Sequence, residues 1–169
     1  MHAQEEKEEF LKLIAENQGI ILKICHAYCN NQPDREDLAQ EIVYTLWKGR
    51  KTFNPDFKFS TWLYRVALNV AISIYRSTKK APPKISIQST DMEIEDKMGV
   101  HPGEDDNSKS LQHQISILNE FDRALMILYF EERSHKEIAE ILGISQTNVA
   151  TKINRIKERM KQNILSEKN

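Results

Sequence analysis

The chain has 169 residues, with 24 Lys and Arg against 25 Asp and Glu and a formal net charge of −1. That length allows one domain or two small ones, and 40% hydrophobic with 29% charged residues suits a globular chain and argues against a membrane-embedded one. No apolar run approaches the roughly 20 residues of a spanning helix, and the acidic start "MHAQEEKEEF" lacks the cationic region and apolar core of a secretory signal. The expectation is a cytoplasmic protein with no membrane insertion of its own.

Residues 9–27 read as a helix with Phe10, Leu13, Ile14, Ile21, Leu22 and Ile24 along its apolar side. Cys25 and Cys29 fall on one side of it. With His26 they make an incomplete zinc site, so reduced, part-buried thiols are the reading, and no metal is expected. "CNNQPDRED" breaks the helix, and the next begins near Asp34 or Arg35. It carries Leu38, Ile42, Leu46 and Trp47 at helical spacing and ends near Gly49.

"KTFNPDFKFS" reads as a loop with an Asn-Pro turn, and Ser60 as the N-cap of a helix over 61–77. On a helical wheel Leu63, Val66, Ala67, Val70 and Ile74 form the inward side. Arg65, Asn69 and Arg76 gather on another face, flanked by Trp62 and Ser73. Aromatics next to cations, as at Phe57, Lys58, Phe59 and Trp62, suit a strand of unstacked bases, although some of these rings are expected to serve the core.

From residue 81 to about 109 no period holds: Pro-Pro, scattered Ser and Gly and an acidic drift read as a linker. "LQHQISILNEFDRALMILYFEE" is helical again, and residues 134–162 hold two more helices around Gly143. There is no strand signal. The predicted architecture is all-α: a helical domain over 1–80, a flexible acidic linker over 81–110 and a helix-turn-helix domain over 111–169.

The last segment has the anatomy of a duplex reader. Ser134 caps one helix with Glu137 at the capping-box position, Ile138 and Leu142 face inward, and Ala139 is small enough for a close crossing. Gly143 suits the tight turn, and Ser145 caps the second helix, whose buried stripe is Val149, Ile153, Ile156 and Met160. Thr147, Asn148, Thr151, Lys152 and Arg155 are left for base edges, with Lys157, Arg159 and Lys161 for phosphates.

Charge is distributed in blocks that the net value conceals. Residues 1–47 balance at −5, 48–80 at +7, 81–132 at −7 and 133–169 at +4. Two basic blocks are footprints for polyanions. The acidic blocks are expected to fold back over them in the free state, so that deleting residues 91–106 would raise non-specific DNA affinity.

"DREDLAQEIVYTLW" followed by "FSTWLYRVALNVAISIYR" resembles the second conserved region of bacterial sigma factors, and "HKEIAEILGISQTNVATKINRIKERMK" resembles their fourth. With only these two regions and a short linker, the layout is similar to that of the extracytoplasmic-function (ECF) group. The resemblance implies a non-catalytic specificity subunit, without cofactor, that binds core RNA polymerase through its β′ clamp helices and β flap and delivers it to promoter DNA. Asp37, Gln40 and Glu41 match the family's polymerase contacts. Phe57, Lys58, Phe59, Trp62, Arg65, Asn69 and Arg76 match the region that captures the melted −10 element. Ser145, Gln146, Thr147, Asn148, Thr151, Lys152, Arg155 and Arg159 fall on the helix that reads the −35 duplex. An anti-sigma factor is the further partner implied. The family usually has Asp where this chain has Ser73. The competing reading is a stand-alone helix-turn-helix regulator that binds duplex DNA as a dimer. A metal-dependent nuclease would need clustered carboxylates that the basic blocks lack.

Overall fold

In a computed structural model, residues 1–80 and 106–169 are described. Among them are eight α-helices, one 3-10 turn and no strand. The first group is α1 (His2–Glu16), α2 (Gln18–Tyr28), α3 (Gln32–Gly49), a 3-10 turn (Arg50–Thr52) and α4 (Phe59–Lys80). The second is α5 (Asp106–Ser116), α6 (Glu120–Phe130), α7 (His135–Leu142) and α8 (Gln146–Glu167). The expected linker falls largely outside the described residues, as do the acids at 91–105; α5 already begins at Asp106, ahead of the expected start at Leu111.

The single helix expected over 9–27 is two helices. Asn17, between them, leaves helical geometry at φ −107 and ψ 16, and its side-chain amide donates to the Leu13 carbonyl at 2.8 Å. The apolar pattern runs through this bend without a break, which is why periodicity alone hides it. The start of α3 also moves upstream. Asn31 accepts the Asp34 amide at 2.9 Å as N-cap, and Pro33 occupies the first turn, where a missing N–H costs nothing.

Helix α4 begins at Phe59, so Ser60 lies inside the first turn instead of capping it. Phe59 is held there by rings: edge-on to Phe10 at 5.8 Å and to Phe53 at 5.3 Å. Leu63 and Ala67 are buried as expected, and Val66 and Val70 are half-buried. Tyr64, Leu68, Ala71 and Ile72 are buried as well, while Ile74 is 37% exposed. The reason is that α4 has two partners. One side meets α2 and α3, and the other meets α6 and α7 of the second group.

In the second group Val149, Ile153, Ile156 and Met160 of α8 are buried, as are Ile138 and Ala139 of α7, whereas Leu142 is half-buried. Ser134 accepts the Glu137 amide at 3.1 Å. Gly143 adopts φ 71 at the turn, a conformation that costs other residues about 1–2 kcal/mol. The amides of Gly143 and Ile144 both donate to the Ala139 carbonyl.

Cys25 and Cys29 are both free thiols, the first buried and the second half-buried. Desolvation, with a smaller push from the neighbouring Cys29, raises the Cys25 thiol to about 11; burial likewise raises Cys29. A thiol at that value is ionised to only about one part in a thousand at pH 8, against roughly a quarter for an ordinary cysteine. Native protein should therefore react with a chromogenic disulfide at Cys25 at least tenfold more slowly than free cysteine at pH 8. Equal rates would show the thiol to be accessible and ionised.

Candidate nucleic-acid and polymerase interfaces

Burying Leu38, Ile42 and Leu46 against α2 and α4 fixes which side of α3 faces out. Asp37, Gln40 and Glu41 all lie on that exposed side. The same stripe continues one turn further to Tyr44, which is 56% exposed, with the Lys48 ammonium 5.3 Å over its ring. Val43 beside it is also exposed. Sequence reasoning passed over Tyr44. The signal was its spacing, seven residues after Asp37 and three after Glu41, which places a large ring on a polar stripe.

Five rings form one cluster between α1, α3, the loop after the 3-10 turn and α4. Phe10, Trp47, Phe53, Phe59 and Trp62 meet with centroid separations from 5.3 to 6.2 Å. Phe59 and Trp62 are thus half-buried members of a core cluster. Phe57 is different, at 69% exposed. Asn54 builds the turn that presents it, accepting the Asp56 amide on its side chain at 3.0 Å and the Phe57 amide on its carbonyl at 3.1 Å. From that turn the exposed residues Arg65, Asn69 and Arg76 follow along one face of α4. Asn69, Ser73, Arg76, Ser77 and Lys80 line a shallow polar cleft at its C-terminal end. Ser73 adds a hydroxyl to that cleft in place of the carboxylate usual in the family the sequence resembles.

The two cations of this region closest to the second group are engaged with it. The Arg76 Nε lies 2.7 Å from a Glu120 carboxylate oxygen, and the Lys58 ammonium lies 3.7 Å from Glu137. The hydrogen bond from Arg76 is the main cause holding Glu120 below the usual carboxylate range.

On α8 the Ser145 hydroxyl accepts the Asn148 amide at 3.1 Å, so this side chain is committed to capping. Gln146, Thr147, Asn148, Thr151, Arg155 and Arg159 are exposed. Lys152 is half-buried, its ammonium 5.5 Å over the Phe121 ring. Lys157, expected to serve a phosphate, is exposed. It donates to the Tyr129 hydroxyl at 3.2 Å, and with Lys161 it borders a largely apolar groove of about 570 Å³ floored by Leu111, Met126, Phe130 and Leu165. A wheel of α8 alone cannot foresee this, because the groove is made by α5 and α6.

An exposed polar stripe on α3, an aromatic turn leading into a polar face on α4, and a capped helix-turn-helix define a two-part, nucleic-acid-directed helical protein. Residues 13–81 match the sigma-70 region 2 family and residues 108–160 match the sigma-70 region 4 family. The chain is 30% identical over 132 residues to the RNA polymerase sigma factor YlaC of Bacillus subtilis (strain 168), covering 76% of each chain. It is 29% identical over 172 residues to the ECF RNA polymerase sigma factor SigW of the same organism, covering 94% of this chain and 90% of that one. The fold is similar to that of the sigma factor RpoE from Bartonella quintana, solved with the anti-sigma factor NepR, with a TM-score of 0.65 at 18% identity over 92% of this chain and 94% of that one. The chain belongs to the sigma-70 family, in its ECF group of RNA polymerase sigma factors. Sigma factors direct RNA polymerase as non-catalytic specificity subunits. No helix among the described residues is long and apolar enough to cross a membrane.

Proposed function

We propose that the two helical groups divide the work of promoter recognition, the first (residues 1–80) holding core polymerase and the opened −10 strand and the second (residues 111–169) reading the −35 duplex. The observation that carries this is the pair of opposite faces on adjacent helices. Helix α3 turns Asp37, Gln40 and Glu41 outward while α4 turns Arg65, Asn69 and Arg76 outward. One surface thus has the charge for a protein partner and the other for a phosphate backbone.

In this reading the α3 stripe, extended by Tyr44, docks on the β′ clamp helices. Phe57 offers a free ring for a base, and Phe59 and Trp62 shape the turn beneath it. Exposed residues of α8, Thr147, Asn148, Thr151 and Arg155 foremost, meet base edges, and Arg159 a phosphate. The groove bordered by Lys157 and Lys161 is assigned to the β flap, since an apolar floor with cationic edges suits an amphipathic helix. An anti-sigma factor is the regulatory partner proposed, on the precedent of the Bartonella quintana complex. The protein works in the cytoplasm, where the polymerase is, and polymerisation itself belongs to the core enzyme.

The test is gel filtration of the chain with bacterial core polymerase, beside a variant with Asp37, Gln40 and Glu41 all replaced by Ala. Co-elution of the wild type and its loss in the variant are expected, with unchanged helical content. A wild-type chain that stays apart from polymerase and binds a palindromic duplex as a dimer would replace this reading with the stand-alone regulator.

A further inference from the structure

Phe121, in the first turn of α6, is a large ring that the hydrophobic core does not use. It is half-buried. Among the described residues, though, it belongs neither to the buried cluster nor to the half-buried side chains packed on that cluster, and it meets no other ring. Its partner is a cation: the Lys152 ammonium of α8 lies 5.5 Å from its centroid. Lys152 is in turn half-buried, where Arg155 and Arg159 on the same helix are exposed.

The position of Lys152 follows from the spacing of α8. It comes one turn after Val149 and one turn before Ile156, so it borders the buried stripe, on the side where Asn148 and Arg155 also project. Helix α6 packs against α8 and supplies the ring at that border. The carboxylates on either side of Phe121 are engaged elsewhere. Glu120 holds Arg76 at 2.7 Å, and Asp122 accepts the Asn119 side-chain amide at 3.2 Å. No ion pair among the described residues involves Lys152. That difference matters for an anionic ligand. A carboxylate fixes an ammonium and cancels its charge, as Glu131 does for Lys23 at 2.6 Å. A ring face restrains the ammonium and leaves its charge and N–H donors free for another acceptor. A long side chain already restrained in the free protein loses less freedom when the ligand arrives.

Resting on the reading of α8 as the −35 helix, we propose that Phe121 is a positioning residue for duplex recognition, its ring holding the Lys152 ammonium ready for a backbone phosphate. Lys152 stands at the margin of the exposed face, beside α6, while Thr147 and Thr151 project from its far side. The margin suits a phosphate better than a base edge, and a compact ammonium needs no particular acceptor geometry there. Helix α6 thereby contributes to DNA binding through α8, without touching the duplex itself.

The test compares Phe121→Leu, Phe121→Tyr, Lys152→Met and the Phe121→Leu/Lys152→Met double variant. Each full-length chain is assembled with core polymerase and titrated, in the cold where the strands stay paired, onto a fluorescein-labelled duplex of one promoter mapped with the wild-type chain. Leu keeps apolar bulk and removes the ring face, whereas Tyr keeps both. Phe121→Leu should weaken binding by about 2- to 10-fold, the cost of ordering one long side chain, with an unchanged salt dependence because the charge remains. Phe121→Tyr should bind as wild type does. Lys152→Met should make the slope of log affinity against log salt shallower by about 0.9, one phosphate contact. Adding Phe121→Leu to Lys152→Met should cost nothing further, a comparison that cancels any general effect of Leu on the fold. Wild-type affinity in Phe121→Leu, or an equal loss with and without Lys152, would overturn the proposal and leave the −35 reading standing. Wild-type affinity and slope in Lys152→Met would remove Lys152 from the duplex contact and the proposal with it. A chain that gives polymerase no promoter at all would instead sink the reading on which the proposal rests.

Discussion

Replacing Phe57 with Ala is expected to lower promoter opening by about 5- to 150-fold, the equivalent of the 1–3 kcal/mol carried by one base–aromatic contact, while polymerase binding stays at the wild-type level. Phe57 is the ring of its region with a free face, at 69% exposure, on a turn closed by two hydrogen bonds to Asn54. Removing it disturbs no core packing, so any loss belongs to the strand. The same change at Trp62 or Phe59 should act differently, because both rings pack against Phe10 and Phe53. Those variants should lose thermal stability together with opening. The measurement is fluorescence of 2-aminopurine placed in the −10 strand. Full opening by Phe57→Ala with loss only in Trp62→Ala would move strand capture onto the cluster.

Leu63→Ala should destabilise the protein by about 2–5 kcal/mol, the range for emptying a buried Leu site. Leu63 has no exposed surface, and it lies on the helix that packs against α2 and α3. Full burial on a helix that packs against two others argues for the upper half of that range. For a cooperative unit of about 150 residues this lowers the melting temperature by roughly 4–20 °C. The change also has a functional reading, because the same packing aims the α3 stripe outward. At temperatures where the variant remains folded, its polymerase binding should match wild type. Binding lost in a fully folded variant would mean that the stripe does not act alone.

Much of this was legible in the sequence, and the reason is locality. The caps at Ser134 and Ser145, the left-handed Gly143 and the stripe from Val149 to Met160 each follow from residues within one turn of one another. The outward position of Asp37, Gln40 and Glu41 follows in the same way from Leu38, Ile42 and Leu46. What stayed hidden depends on partners distant in sequence. Tyr64, Leu68 and Ile72 fall outside the predicted inward side because periodicity finds one buried face, and α4 packs against helices of both groups. Nothing in the local sequence marks Arg123 as buried; its burial depends on Ala27, Tyr28 and Tyr75, far from it in the chain. The contact of Lys157 with Tyr129 of α6 was likewise beyond a wheel of α8. The break at Asn17 escaped for another reason: the apolar spacing continues through the bend, and only a side chain turning back on Leu13 marks it.

The central claim is that this chain gives core polymerase its choice of promoter, and transcription in a reconstituted system tests it most directly. Core enzyme with and without the chain would transcribe a genomic fragment library, with sequencing of the RNA 5′ ends. The account predicts a limited set of starts that depend on the chain, each preceded by two recurring elements at a nearly constant separation. Starts unchanged by adding the chain, or a lone palindrome bound equally well without polymerase, would contradict it.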